Sequence, residues 1–250
     1  MKKTSIILSA ALAAAAAAAV PSLAFADDGL AYNIGAVSDY RYRGISQTRL
    51  KPALQGGVDY TKGAFYLGAW ASTIKWIKDA SGDAGLEVDL YGGYKGEISK
   101  DFTYDVGVLN YWYPSAVTPA WSAAYRNPNT TELYGALTYG PVTAKYSHGF
   151  TNLFGNVDSK NSYYLDLSAT FEVAGLSVVP HVGYQKVKNT ANASYTDYSI
   201  TVSKDFGGIV PSVALVGTDA DKGFYVPGAA ANSSKFLGKA ALVVGVKYNF

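Results

Sequence analysis

The feature that most limits what this chain can fold into is a period of two that recurs along it. In the last twelve residues, Leu242, Val244, Val246, Tyr248 and Phe250 share one parity. Lys239, Ala241, Val243, Gly245, Lys247 and Asn249 share the other. Successive side chains of a strand point to opposite faces, so this is a strand with one wholly apolar face and one small or polar face. Leu86, Val88 and Leu90 against Glu87, Asp89 and Tyr91 repeat the pattern. So do Leu165, Leu167 and Phe171 against Asp166, Ser168 and Thr170. No segment after Asp28 sustains a helical period. The alternation predicts about twelve strands, over 30–42, 53–61, 64–74, 85–97, 101–112, 131–139, 142–150, 162–173, 176–187, 196–206, 208–217 and 239–250.

The connections constrain the fold further. Tight turns at Thr61-Lys62-Gly63, Ser99-Lys100-Asp101, Gly140-Pro141, Ala174-Gly175 and Gly207-Gly208 alternate with long polar connections. The long ones lie near 43–52, 75–84, 113–130, 151–161, 188–195 and 218–238. A sandwich with Greek-key connections has no reason to alternate this way. An all-β, up-and-down antiparallel transmembrane β-barrel of about 12 strands does, with short periplasmic turns and long extracellular loops. Composition agrees: 16% charged residues against ~25% in soluble domains, with 21 Tyr and 26 Gly. Tyr60, Tyr94, Phe102, Trp112, Tyr139, Tyr163 and Phe171 fall near strand ends on the apolar parity, where interfacial girdles are expected.

Residues 1–26 read as a signal peptide and 27–250 as the barrel. Lys2 and Lys3 precede an uncharged, alanine-dominated run from Ile6 to Val20, and Ala24-Phe25-Ala26 has the small-x-small form of a cleavage site. The run is too short and too weakly apolar for a membrane anchor, which needs ~20 strongly apolar residues. Loss of Lys2 and Lys3 takes the formal charge from +2 to neutral, so no nucleic-acid partner is expected. The chain has 0 Cys, which excludes a disulfide framework and any thiolate chemistry.

On the polar parity lie Asp39, Asp59, Glu87, Asp89, Asp105, Glu132, Asp166 and Asp197, with Arg41, Arg43, Lys95, Lys145 and Lys247. A charge facing lipid at mid-membrane costs ~2–4 kcal/mol, so these side chains are expected in the lumen. The expected channel-lining residues are Asp39, Arg41, Arg43, Asp59, Glu87, Asp89, Asp105, Glu132, Lys145 and Asp166. Asp39, Arg41 and Arg43 share one parity of the first strand, with Tyr40 and Tyr42 on the other. They could line the passage as a selective charge cluster, or fix strand register against Asp59 or Glu87. Opposed charges favour small polar or zwitterionic solutes in an open pore. The same charges can also close it as a salt-bridged plug.

Little else carries chemistry. Of the two histidines, His148 falls on the apolar parity near a strand end and His181 on a lumen parity. Neither has a Ser two residues away, and no Asp-x-His occurs. Gly56-Gly57, Gly92-Gly93 and Gly207-Gly208 lack the Lys-Ser/Thr and helix of a phosphate loop. Asp79-Ala-Ser-Gly-Asp83 and Asp219-Ala-Asp-Lys-Gly223 lack the ligand spacing of a calcium loop and read as solvated turns. No enzyme activity, cofactor or metal is expected.

One stretch is more distinctive. Asp39-Tyr-Arg-Tyr-Arg-Gly-Ile-Ser-Gln47, Pro52-Ala-Leu-Gln-Gly56 and Phe65-Tyr-Leu-Gly-Ala-Trp-Ala-Ser72 together resemble the TorF family of porins. The match is specific over 37–74, and the C-terminus resembles the last strand of bacterial outer-membrane barrels. The resemblance implies a pore in the outer membrane, with membrane lipid, the barrel-assembly machinery and small polar solutes as partners. It also implies an assembly signal at Leu242, Val244, Val246, Tyr248 and Phe250. A porin-like channel for passive diffusion is therefore expected. The alternatives are a closed barrel whose loops near 113–130 and 218–238 bind a partner and, more remotely, an outer-membrane hydrolase.

Overall fold

The computed structural model describes residues 28–250. The expected signal segment lies outside them.

Fifteen strands form, in chain order: β1 (Gly29–Val37), β2 (Arg41–Tyr42), β3 (Ile45–Ser46), β4 (Ala53–Lys62), β5 (Phe65–Thr73), β6 (Leu86–Ser99), β7 (Phe102–Trp112), β8 (Thr130–Tyr139), β9 (Val142–Gly149), β10 (Tyr163–Ala169), β11 (Phe171–Val173), β12 (Leu176–Lys186), β13 (Tyr195–Ser203), β14 (Ile209–Thr218) and β15 (Ala241–Asn249). β2 and β3 form a small hairpin of their own. β10 and β11 are one strand interrupted at Thr170, so the wall has 12 staves. Every wall pairing is antiparallel, each strand beside its neighbour in the chain. Closure comes from β1 on β15, with Asn33 opposite Asn249 and Val37 opposite Gly245. A closed wall leaves no unpaired edge, which is what a strand structure needs where water is absent.

Alternation decides which face is which. Leu90, Val108, Leu133, Leu165, Ile200, Val213 and Val244 stand exposed on the outer wall, while Glu87, Asp89, Asp105 and Glu132 on the other parity are buried. The exposed apolar residues form a continuous belt, a surface that a bilayer covers and water would not. Aromatic residues collect at its rims. Phe65 and Tyr94 pack edge to face with centroids 4.8 Å apart, and Tyr32, Phe250 and Tyr248 form a stack at the turn end. Leu242, Val244, Val246, Tyr248 and Phe250 all belong to this outer face.

The turns have the geometry their residues predict. Ala174 and Gly175 both take positive φ, 52° and 74°, in the two-residue link from β11 to β12. That is the backbone twist a tight hairpin requires. At the opposite end the long connections carry two single-turn helices, α1 (Trp76–Asp79) and α2 (Pro119–Ser122). Thr118 caps α2 by accepting a bond from the Trp121 amide at 3.0 Å.

The first strand departs from expectation. It ends at Val37, not 42, where it meets Ala53 at the start of β4. The outward parity of β1 is apolar through Leu30, Tyr32 and Ile34, but no aliphatic residue occurs in 38–44 to continue it. Instead 38–52 turns into the barrel. Arg43 at φ 45° and Gly44 at φ 77° make the turn between β2 and β3, and every residue from Tyr40 to Ser46 is buried.

Candidate functional site

The inward hairpin crosses the lumen at the loop end and fastens to strands around the wall. Asp39 sits at its foot. It accepts bonds from Arg41 Nε at 2.5 Å, Ser46 Oγ at 2.5 Å and Thr48 Oγ1 at 3.2 Å. Arg41 also donates through Nη1 to the carbonyls of Gly44, Leu237 and Lys239 at 2.9–3.1 Å. It thereby ties the hairpin to the last long connection. Its Nη2 has no partner among the described residues.

Arg43 carries the longest reach. Its guanidinium meets Glu132 on β8 through two parallel bonds, at 3.0 and 2.7 Å, and donates to Gln185 Oε1 on β12 at 2.5 Å. It also lies over the Tyr42 and Tyr164 rings, 4.8 and 4.2 Å from their centroids. Bidentate geometry, an extra acceptor and two ring faces together satisfy a charge that burial alone would penalise. Glu132 correspondingly gains Tyr111 Oη at 3.3 Å.

Tyr40 and Tyr42 do not face outward as the parity predicts. Tyr40 donates to Glu87 Oε1 at 2.5 Å, and Tyr113 donates to Glu87 Oε2 at 2.7 Å. Burial pushes both phenols well above their ordinary range, so both remain neutral donors to this carboxyl group. Tyr42 Oη and Tyr111 Oη lie 2.6 Å apart. The alternation that suggested a wall strand therefore belongs to a hairpin whose two faces both find partners inside.

The Asp39, Arg41 and Arg43 cluster is ion-paired inside the barrel, Arg41 with Asp39 and Arg43 with Glu132, so its partners differ from those expected. Neither arginine meets Asp59 or Glu87. Asp59 on β4 instead accepts Tyr91 Oη at 2.5 Å. Asp89 on β6 is buried, and its Oδ1 has no donor among the described residues.

Nearer the turn end a second polar layer lines the wall. Asp105 accepts Tyr66 Oη at 2.6 Å, and that hydroxyl also contacts Tyr134 Oη. Lys95 and Lys145 do not form ion pairs with the adjacent acids. They lie over the Tyr66 and Tyr134 rings, 4.7 and 4.1 Å from the centroids. Asp166 on β10 accepts from His181 Nε2 at 2.8 Å, and at the loop end, beside the hairpin, Tyr164 Oη donates to Asp197 at 2.9 Å. The Asp–His pair absent from the local sequence is thus made across two adjacent strands. His148 lies on the outer face beside Tyr146, 2.8 Å from its hydroxyl.

Sequence reasoning missed the tyrosines and Gln185 as partners of these charges. The signal was present in the inward parity: Tyr91, Tyr111, Tyr134 and Tyr164 share the parity of the acids on their strands, and Tyr66 the parity opposite Phe65 and Leu67.

Gly44 allows the hairpin to dock. A Cβ there would meet the Thr218 methyl and stand 2.8 Å from Asp197 Cβ, at a positive φ that side chains disfavour. Gly44→Val is therefore expected to undock the hairpin while leaving the wall folded. Limited proteolysis should then cut within 38–52, with unchanged strand content by circular dichroism. Equal protease resistance to the parent would show that the fit at Gly44 is dispensable.

Comparison with known proteins agrees with this architecture. A family described as "Bacterial protein of unknown function (Gcw_chp)" matches residues 24–250. No curated protein matches in sequence. Among solved structures the KdgM porin superposes with a TM-score of 0.55 at 10% identity, covering 88% of this chain and 98% of its own. The KdgM porin in complex with disordered oligogalacturonate gives 0.56 at 10% identity, with the same coverage of 88% and 98%. The NanC porin gives 0.55 at 11% identity, covering 89% and 99%. At such identities the likeness is one of fold.

Proposed function

We propose a function from one premise: the chain belongs to the bacterial family Gcw_chp, whose function is unknown. Our reading is a porin-like channel of the outer membrane, akin to the TorF porins, exported by a signal peptide over 1–26. It passes small polar solutes or ions by passive diffusion. The observation that carries this reading is a closed barrel with an apolar belt outside and ionisable groups inside. Only a membrane repays that outer surface, and only a wet or ion-paired interior repays the inner one. The terminal Leu242 to Phe250 face serves as the assembly signal in the same reading, presented to the barrel-assembly machinery.

The inward hairpin adds a gate. A solute passing along the lumen meets 38–52, so the docked hairpin sets the free cross-section. Asp39, Arg41, Arg43, Glu87, Asp89 and Glu132 then act at the constriction. Asp59, Asp105, Lys145 and Asp166 line the wider passage toward the turn end. Both signs occur along this path, which suits polar solutes of low net charge.

Planar-bilayer recording of the refolded protein tests the reading. Discrete, reproducible current steps are expected. A folded protein, shifted by heat on gel electrophoresis yet electrically silent at all voltages, would instead support a closed barrel that binds a partner through its loops. The docked hairpin is the observation that favours that second reading.

A further inference from the structure

Between the inward hairpin and the long connections lies a cavity of about 410 Å³. This is the size range of pockets that enclose small organic ligands. We infer that it is a binding site for a neutral, hydroxyl-bearing ring solute of about disaccharide size. The inference names a solute class for the proposed channel and rests on that reading only for what happens after binding.

The walls are rings. Tyr42, Trp76, Tyr113, Tyr125, Phe154 and Tyr195 line the cavity, from the hairpin, α1, two long connections and the start of β13. They hold one another in place. Trp76 packs edge to face on Tyr113 at 5.2 Å between centroids and on Trp121 at 5.9 Å, and Phe154 packs on Tyr42 at 5.5 Å. Rigid rings supply large contact area at small entropic cost.

The cavity offers no free charge. Asp79 is the charged residue in its lining, and both its oxygens are held by Arg49. An anionic or cationic ligand would find no counter-charge, so a charged solute would be desolvated without return.

Polar groups on the rings are nevertheless left open. Trp76 Nε1 is buried with no partner, and no bond to Tyr125 Oη or Tyr195 Oη occurs among the described residues. The other tyrosine hydroxyls in and around the cavity are used: Tyr40, Tyr42, Tyr111 and Tyr113 are all bonded. An indole N–H can only donate, whereas a phenol can donate and accept. A ligand that satisfies these groups presents oxygen acceptors and hydroxyls around a face that packs on rings. A saccharide ring has that combination, with hydroxyls at its edge and C–H groups on its faces. A purely apolar molecule would leave Trp76 Nε1 unsatisfied.

The test is equilibrium binding to the refolded full chain in detergent, by calorimetry and tryptophan fluorescence. The probes are maltose, cellobiose, sucrose and lactose, with digalacturonate and indole as the charged and apolar comparisons. Saturable binding of at least one neutral sugar is expected, tighter than for either comparison. Tyr195→Phe keeps the ring and removes only its hydroxyl, and Trp76→Phe removes the indole N–H while leaving a smaller aromatic ring; each should weaken binding about fivefold to tenfold. Heat-shifted mobility confirms that each variant is folded. No saturable sugar binding, tighter binding of digalacturonate or indole, or unchanged affinity in both variants would each overturn the assignment. Binding does not require current, so a silent barrel that binds sugar would refute the channel and leave this site standing.

Discussion

Arg43→Ala is expected to raise the open probability of the protein in a bilayer and to release its inner hairpin. Arg43 is the hairpin's main tie to the far wall, through Glu132 and Gln185. Both ion-pair partners are almost wholly buried, with side-chain exposures of 6% and 2%. Removing one partner of a buried pair costs about 3–5 kcal/mol, because the other charge stays behind without compensation. The docked hairpin leaves Glu132 in that position, whereas an undocked hairpin lets water reach it. The equilibrium should therefore move toward the undocked form by roughly a hundredfold or more. Arg43→Ala/Glu132→Ala should be milder than the two single effects added, since neither charge is then stranded. Single-channel recording and proteolysis within 38–52 read the same event independently. Parental current together with parental protease resistance would remove Arg43 from the gate.

Val213→Arg is expected to destabilise the barrel by about 2–4 kcal/mol in lipid vesicles. Val213 lies midway along β14, on the outer face, opposite Val202 on β13 and Val244 on β15. An arginine there enters hydrocarbon at the depth where its hydration is hardest to keep. The measurement is urea unfolding of the parent and variant from vesicles. A loss below ~0.5 kcal/mol would mean that water or protein, not lipid, covers this belt. That result would undo the membrane placement without touching the fold.

The wall was legible because its forces are local and periodic. Each of the twelve expected strands occurs, because an apolar side chain on every second residue can be reconciled with a closed sheet and hardly with anything else. The turns were legible for the same reason. Ala174-Gly175 and Gly140-Pro141 reverse the chain by their own backbone preferences. The inward direction of Glu87, Asp89, Asp105, Glu132 and Asp166 followed from the cost of placing a carboxylate on the outer face.

The hairpin was not legible in this way. Asp39-Tyr-Arg-Tyr-Arg43 alternates as a wall strand does, and only the loss of aliphatic residues on its outward parity marks the change. Which acid receives Arg43 depends on Glu132, 89 positions away, and on Gln185, 142 positions away. Nothing in the spacing of either residue encodes that meeting. The aromatic chamber has the same origin, since its rings come from the hairpin, α1, the connections and β13. By itself, then, the sequence determined the closed strand wall, its two faces and its alternating ends, because period and turn chemistry act between near neighbours. Only the tertiary structure decided that the lumen is crossed by a hairpin and capped by a ring-lined cavity, because those contacts join residues that barrel closure alone brings together.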